Sequence, residues 1–142
     1  MSERLVSLAL WLAGAGHFCV LVASVQVPFR LDWRRDLAQL APLNRKLMWT
    51  YGAFTVMTIT AFGVLTLALR AELVRGDRAA LGLAAFIGAY WTARVLVDAC
   101  YFRHADWPRG PGFVLGHVML TSLFVALAGT YLGVVAWHLW LR

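Results

Sequence analysis

The chain has 142 residues, of which 61% are hydrophobic and 14% charged, and its formal net charge is +6. A soluble domain has about 45–50% apolar and about 25% charged residues, so this composition, with a mean hydropathy of +0.70, predicts a membrane protein. Nucleic-acid binding is not indicated, because the Lys and Arg residues stand almost wholly in short segments between apolar runs, where membrane proteins meet anionic headgroups.

Four apolar runs are long enough to cross a bilayer, which takes about 20 residues of helix. They cover residues 5–27, 47–69, 79–102 and 112–141. Helices are required, because lipid-facing backbone groups must be paired internally and four segments are too few to close a barrel. We therefore expect an all-α polytopic membrane protein. Its fold would be an up-down four-helix transmembrane bundle that forms a single domain over residues 1–142.

The first connection, residues 28–46, is the longest and predicts a short helix lying in the membrane interface. Asp32 is placed to cap that helix and Pro42 to end it, and Asn44 is placed to cap the second span. The second connection, residues 70–79, predicts a tight charged turn. The third, residues 103–112, contains prolines and glycines that predict a rigid loop.

Four spans place both termini on one side of the membrane and the first and third connections on the other. The connection side carries seven basic residues (Arg30, Arg34, Arg35, Arg45, Lys46, Arg103 and Arg109) and the terminal side five (Arg4, Arg70, Arg75, Arg78 and Arg142). Because cytoplasmic loops are enriched in Lys and Arg, we expect the connection side to face the cytoplasm. The membrane would be a bacterial inner membrane, with the termini outside.

A polar face interrupts the third apolar run. Trp91, Arg94, Asp98 and Tyr101 follow a 3–4–3 spacing, so they share one side of a helix. Each charge costs about 2.5–3.5 kcal/mol at the centre of an inserted helix. The face is therefore expected to turn into the bundle, where Arg94 and Asp98 can pair across one turn.

Depths estimated from the helical rise place further polar residues at the same levels. Counted from the connection side, Arg94 lies roughly 13 Å deep and His17 about 15 Å, while Asp98 and His117 both lie about 7 Å deep. The candidate ligand-binding residues are thus Arg94, Asp98, His117, His17, Tyr101, Trp91 and Tyr51. The same side chains could instead hold the helices in register without any ligand.

Several functions fit this pattern. A redox subunit could bind a quinone, or less readily haem b between His17 and His117, since axial ligands should lie at nearly one level. A non-catalytic accessory subunit of a larger membrane complex and a small proton or solute transporter are the alternatives. Lipid and other membrane subunits or further copies of the chain are the expected partners. Metalloprotease, hydrolase and phosphate-loop motifs are absent, so an enzymatic activity is left undecided.

Overall fold

The computed structural model describes residues 2–102 and 110–140, and every regular element in these ranges is helical. The elements are α1 (Glu3–Arg30), α2 (Trp33–Asp36), a 3₁₀ turn (Leu37–Gln39), α3 (Pro42–Ala68), α4 (Arg70–Arg75), α5 (Arg78–Cys100) and α6 (Pro111–Trp140). Helices α1, α3, α5 and α6 are long and apolar enough to cross a membrane. This confirms the all-α class and the four candidate spans, and it supports an integral membrane location. Of the predicted loop at 103–112, residues 103–109 lie outside the described residues, and Pro111 and Gly112 belong to α6 and not to a loop.

The start of α3 differs from the prediction. The preceding 3₁₀ turn ends before Pro42, as expected, but Pro42 is also the first residue of α3 and Ala41 is its cap, so the expectation that Asn44 would cap the second span is wrong. Proline suits a first helical position because no intrahelical partner exists there for a backbone N–H. As a result α3 begins well before the apolar run that marks it in the sequence.

The two described connections are both helical. The first contains α2 and the 3₁₀ turn, and its Trp33 ring meets Trp49 of α3 at a centroid distance of 5.9 Å. Asp32 precedes α2, but its side chain makes no capping bond. The second connection is α4 rather than a simple turn, and Gly76 ends it with φ of 84°. From α6, the ring Nε2 of His138 lies 3.1 Å from the Leu73 carbonyl oxygen, which ties α6 to α4.

The long helices pack most extensively as two pairs, α1 with α3 and α5 with α6, and α1 also contacts α6. Gly14 of α1 and Gly88 of α5 allow close approach, because a Cβ at either would lie under 3 Å from Leu67 or Leu132. Other glycines in the spans have no such neighbour, because a Cβ at Gly82, Gly116 or Gly129 would meet nothing within 4 Å. Between α3 and α5, Phe62 meets Tyr90 at 5.1 Å.

The core fills only one half of the helices, which we call the packed half. Its buried residues lie between Val6 and Val20 in α1 and between Ile59 and Thr66 in α3. In α5 they lie between Ala80 and Trp91, and in α6 between Phe124 and Trp137. The remaining helix segments form what we call the open half, which leads to the first and third connections. They cover residues 21–30, 42–58, 92–100 and 111–123, and no residue there is buried as a whole, although the side chain of Asp98 is only 6% exposed. The polar residues of α5 stand where the packed half gives way to the open half.

Candidate functional site

His17 is fully buried in the packed half and joins α1 to α5. Its Nδ1 lies 2.8 Å from the Ala13 carbonyl oxygen, and its Nε2 accepts a hydrogen bond of 3.0 Å from the indole Nε1 of Trp91. A carbonyl can only accept and an indole N–H can only donate. The ring is therefore the neutral tautomer with its proton on Nδ1. Both ring nitrogens are engaged, so a haem iron would have to displace Trp91 to reach Nε2.

Aromatic rings surround His17. Its centroid lies 5.6 Å from Trp91, 5.9 Å from Phe62 and 5.8 Å from Tyr131. The hydroxyl of Tyr131 lies 2.6 Å from the hydroxyl of Thr66, a buried polar pair that joins α6 to α3. Two buried polar bonds thus connect all four long helices at one level. Sequence reasoning missed Thr66 and Tyr131, because each alone is an ordinary membrane-helix residue.

Three side chains from α5 and α6 surround the Asp98 carboxylate. Its own side chain is only 6% exposed. Its Oδ2 accepts a hydrogen bond of 2.8 Å from the Thr121 hydroxyl and lies 3.5 Å from Nε2 of His117, while Oδ1 lies 3.5 Å from Nη1 of Arg94. Thr121 was not among the sequence candidates. The signal was available, since His117 and Thr121 stand four residues apart on one face of α6.

Arg94 lies at the accessible edge of this cluster. Its side chain is 34% exposed. The guanidinium carbon stands 5.1 Å from the ring centre of Phe124 and 5.6 Å from that of Phe102, within the range of cation–π contact. Its Nη1 is shielded from solvent and faces Asp98 without a hydrogen bond. A guanidinium carries five N–H donors, so the partly exposed side chain can also donate to a ligand.

A stack of rings joins the two polar groups. Phe124 lies parallel to Trp91 with a centroid separation of 4.9 Å. Trp91 donates to His17 on one side, and Phe124 contacts Arg94 on the other. The predicted residues His17, Trp91, Arg94, Asp98 and His117 are therefore brought into one connected region. The site reaches from the buried core to the partly exposed edge.

The two remaining sequence candidates lie apart from this region. Tyr51 of α3 is 62% exposed and Tyr101, just after α5, is 78% exposed. The only ring contact described for Tyr101 is with its neighbour Phe102. Neither tyrosine makes a described hydrogen bond with the Asp98 cluster, so the structure does not bring them into the site.

The cluster combines several donors with one carboxylate. Arg94, His117 and Thr121 can donate hydrogen bonds, and Asp98 can accept them or hold a proton. No group of three or more His, Cys, Asp or Glu side chains within residues 2–102 and 110–140 could hold a metal ion. The arrangement suits a ligand with a polar, hydrogen-bonding head and an apolar body.

Comparison with protein-family models, with curated proteins and with solved structures finds no match for this chain.

Proposed function

We propose that this protein binds a small amphipathic redox ligand, a quinone, at the Asp98 cluster. The observation that carries the proposal is the position of Asp98. Its carboxylate is almost fully buried, yet two of the side chains around it, Arg94 and His117, keep 34% and 25% of their surface exposed. A charge held at such cost inside a membrane helix marks a functional site by default.

A quinone matches the chemistry of the cluster. Its carbonyl oxygens accept hydrogen bonds, which Arg94 and His117 can donate, and its ring can lie against Phe102 or Phe124. Its isoprenoid tail needs an apolar path, which the open half provides because its helices leave large apolar side chains exposed. Asp98 Oδ2 and His117 Nε2 lie 3.5 Å apart, so a small side-chain shift would form the hydrogen bond through which a quinone–quinol couple exchanges a proton.

The wider architecture belongs to the same proposal. The four long helices form an up-down bundle, with α2 lying in the membrane interface beside the open half. The first and third connections then face the cytoplasm, and the ligand enters from the cytoplasmic half of the bilayer. The seven basic residues expected on that side support the orientation.

The direct test is to extract lipids from protein purified in a mild detergent and to measure bound quinone per mole of protein. Wild-type protein should retain quinone. Asp98→Asn and Thr121→Val should each lose most of it, because the first removes the charge and the second removes the donor that orients it. Thr130→Val is the matched control, since the Thr130 hydroxyl bonds to the Ala126 carbonyl of its own helix.

Three outcomes would contradict the quinone proposal. Quinone content could be unchanged in Asp98→Asn and Thr121→Val, or no quinone could bind even when it is added. A haem Soret band in the purified protein would point to a haem site instead. Each variant is first checked by circular dichroism and size-exclusion chromatography, so that loss of fold is separated from loss of ligand.

A proton or solute transporter is the second candidate, and the separation of 3.5 Å between Asp98 Oδ2 and His117 Nε2 favours it. A carboxylate and an imidazole this close need only a small side-chain shift to form the hydrogen bond through which a proton passes. Proton uptake by proteoliposomes that is lost in Asp98→Asn, without bound quinone, would support this function. Co-purification of further membrane proteins would support the accessory-subunit function instead.

A further inference from the structure

A second candidate site lies at the opposite end of the molecule from the open half. A surface groove with a volume of about 460 Å³ runs between the first turns of α1 and the short helix α4. Charged residues and apolar residues both line it. The groove does not involve the Asp98 cluster, so a ligand bound there is independent of the proposed function.

The charged part of the groove is positive. Arg4 and Arg70 both line it, both are exposed, and neither makes an ion pair within the described residues. Glu3 also lines the groove, so the two arginines and one glutamate leave a net charge of 2 − 1 = +1. By contrast, the nearby Arg75 is neutralised by Glu72 and Asp77, at 3.4 and 3.0 Å. Arg4 and Arg70 therefore keep their charge available to an anionic ligand.

The apolar part follows α1 away from these charges. Leu8 and Trp11 line the groove and are 54% and 50% exposed. Trp11 is seven residues beyond Arg4, which places it about 10 Å further along the helix axis. The groove thus passes from a cationic end to an apolar wall over about 10 Å.

We propose that this groove binds an anionic phospholipid. Arg4 and Arg70 contact its phosphate, for which guanidinium groups are well suited, and the Ser7 hydroxyl can donate to an ester or phosphate oxygen. The upper part of one acyl chain lies along Leu8 and Trp11. A free phosphate ion would use the cationic end only and would leave the exposed apolar wall without a role.

The test is native mass spectrometry of the full chain in detergent, titrated with phosphatidylglycerol or with phosphatidylcholine. Phosphatidylglycerol should bind more tightly. Arg4→Gln and Arg70→Gln should each weaken it by about fivefold, the loss expected for one cation at an anionic membrane surface. Arg4→Lys with Arg70→Lys should retain most of the affinity.

Arg75→Gln is the matched control, because it removes the same charge from α4 at a residue already paired with acids. It should leave the affinity unchanged. Equal binding of the two lipids would overturn the proposal, as would an effect of Arg75→Gln as large as that of Arg70→Gln. Complete displacement of phosphatidylglycerol by millimolar inorganic phosphate would also overturn it, because the groove would then be a phosphate site.

Discussion

Asp98 joins α5 and α6 through side chains rather than through apolar packing alone. Its shortest bond is with Thr121, at 2.8 Å, while Arg94 and His117 each approach to 3.5 Å. The Arg94–Asp98 pair is therefore a loose ion pair supported by a strong neutral donor. At 3.5 Å the charged atoms are still in van der Waals contact, so a ligand would bind beside the pair and not between its partners.

Asp98→Asn should lower the stability of the protein by about 1–3 kcal/mol, the usual cost of losing hydrogen bonds to a charged group. It also leaves the Arg94 guanidinium without its counter-charge. The double variant Arg94→Gln with Asp98→Asn should recover much of this loss, because no uncompensated charge then remains. Thermal unfolding in detergent measures both effects.

Recovery of the fold without recovery of quinone binding would separate the two roles of the pair. If the double variant regained native ligand content, the pair would be structural only. If the loss of stability in the double variant equalled the sum of the losses in the two single variants, Arg94 and Asp98 would not be coupled. The ion pair seen in the structure would then carry no energy of its own.

His17 and Trp91 provide a second test at the level of single residues. His17→Phe should cost about 1–3 kcal/mol, because it leaves a buried indole N–H without an acceptor. Combining it with Trp91→Phe should restore part of that loss, since both polar groups are then removed. The measurement is thermal unfolding, with exposed Trp11→Phe as the control for simple loss of an indole. Equal losses in the single and double variants would contradict the pairing.

The same geometry predicts that purified protein shows no haem absorption, because both nitrogens of His17 are engaged by Ala13 and Trp91. An absorption spectrum checks this directly. A Soret band that vanished in both His17→Ala and His117→Ala would establish a bis-histidine haem and would mean that Trp91 rotates away.

Sequence reasoning found the centre of the site but not its boundary. Arg94, Asp98 and His117 could be placed together because intramembrane charge is costly and helical rise fixes depth. Depth does not fix the rotation of a helix about its axis, so Tyr51 was placed near the right level but faces outward. Thr121 could have been found only through its spacing to His117, since most threonines in these spans bond to their own helix, as Thr130 does.

At the level of elements, the junction between α4 and α5 is the most constrained part of the described connections. Gly76 has φ of 84°, and a Cβ on it would run into the ring of His138. The sequence showed a charged turn here but not the contact with α6, which joins residues far apart in the chain. Helix starts were harder to place, as at Pro42, because hydropathy marks where lipid begins and not where hydrogen bonding begins.

Gly76→Ala should destabilise the protein by about 1–2 kcal/mol, because a left-handed residue disfavours a side chain and the new methyl group would displace His138. Gly82→Ala in α5 is the matched control. A Cβ there meets nothing within 4 Å, so the change should be neutral or raise stability by up to about 1 kcal/mol through helix propensity. Melting temperatures in one detergent decide the comparison. A harmless Gly76→Ala would mean that His138 does not pack on the turn.

At the level of the whole molecule, the orientation in the membrane can be tested with single cysteines. Ala38 and Ala71 are both exposed and lie in opposite connections. With Cys19 and Cys100 replaced, Ala71→Cys should react with an impermeant thiol reagent in intact cells, and Ala38→Cys only after lysis. Labelling of Ala38→Cys from outside would reverse the proposed topology.

The division into a packed half and an open half also links the protein to the thickness of its bilayer. Helices of 28 and 30 residues, α1 and α6, are about 42 and 45 Å long, whereas the hydrocarbon core is about 30 Å thick. Long helices accommodate this mismatch by tilting. Since only one half is held by a core, a change of tilt would be taken up mainly by the helix segments of the open half, and the surroundings of Asp98 would then respond to lipid chain length.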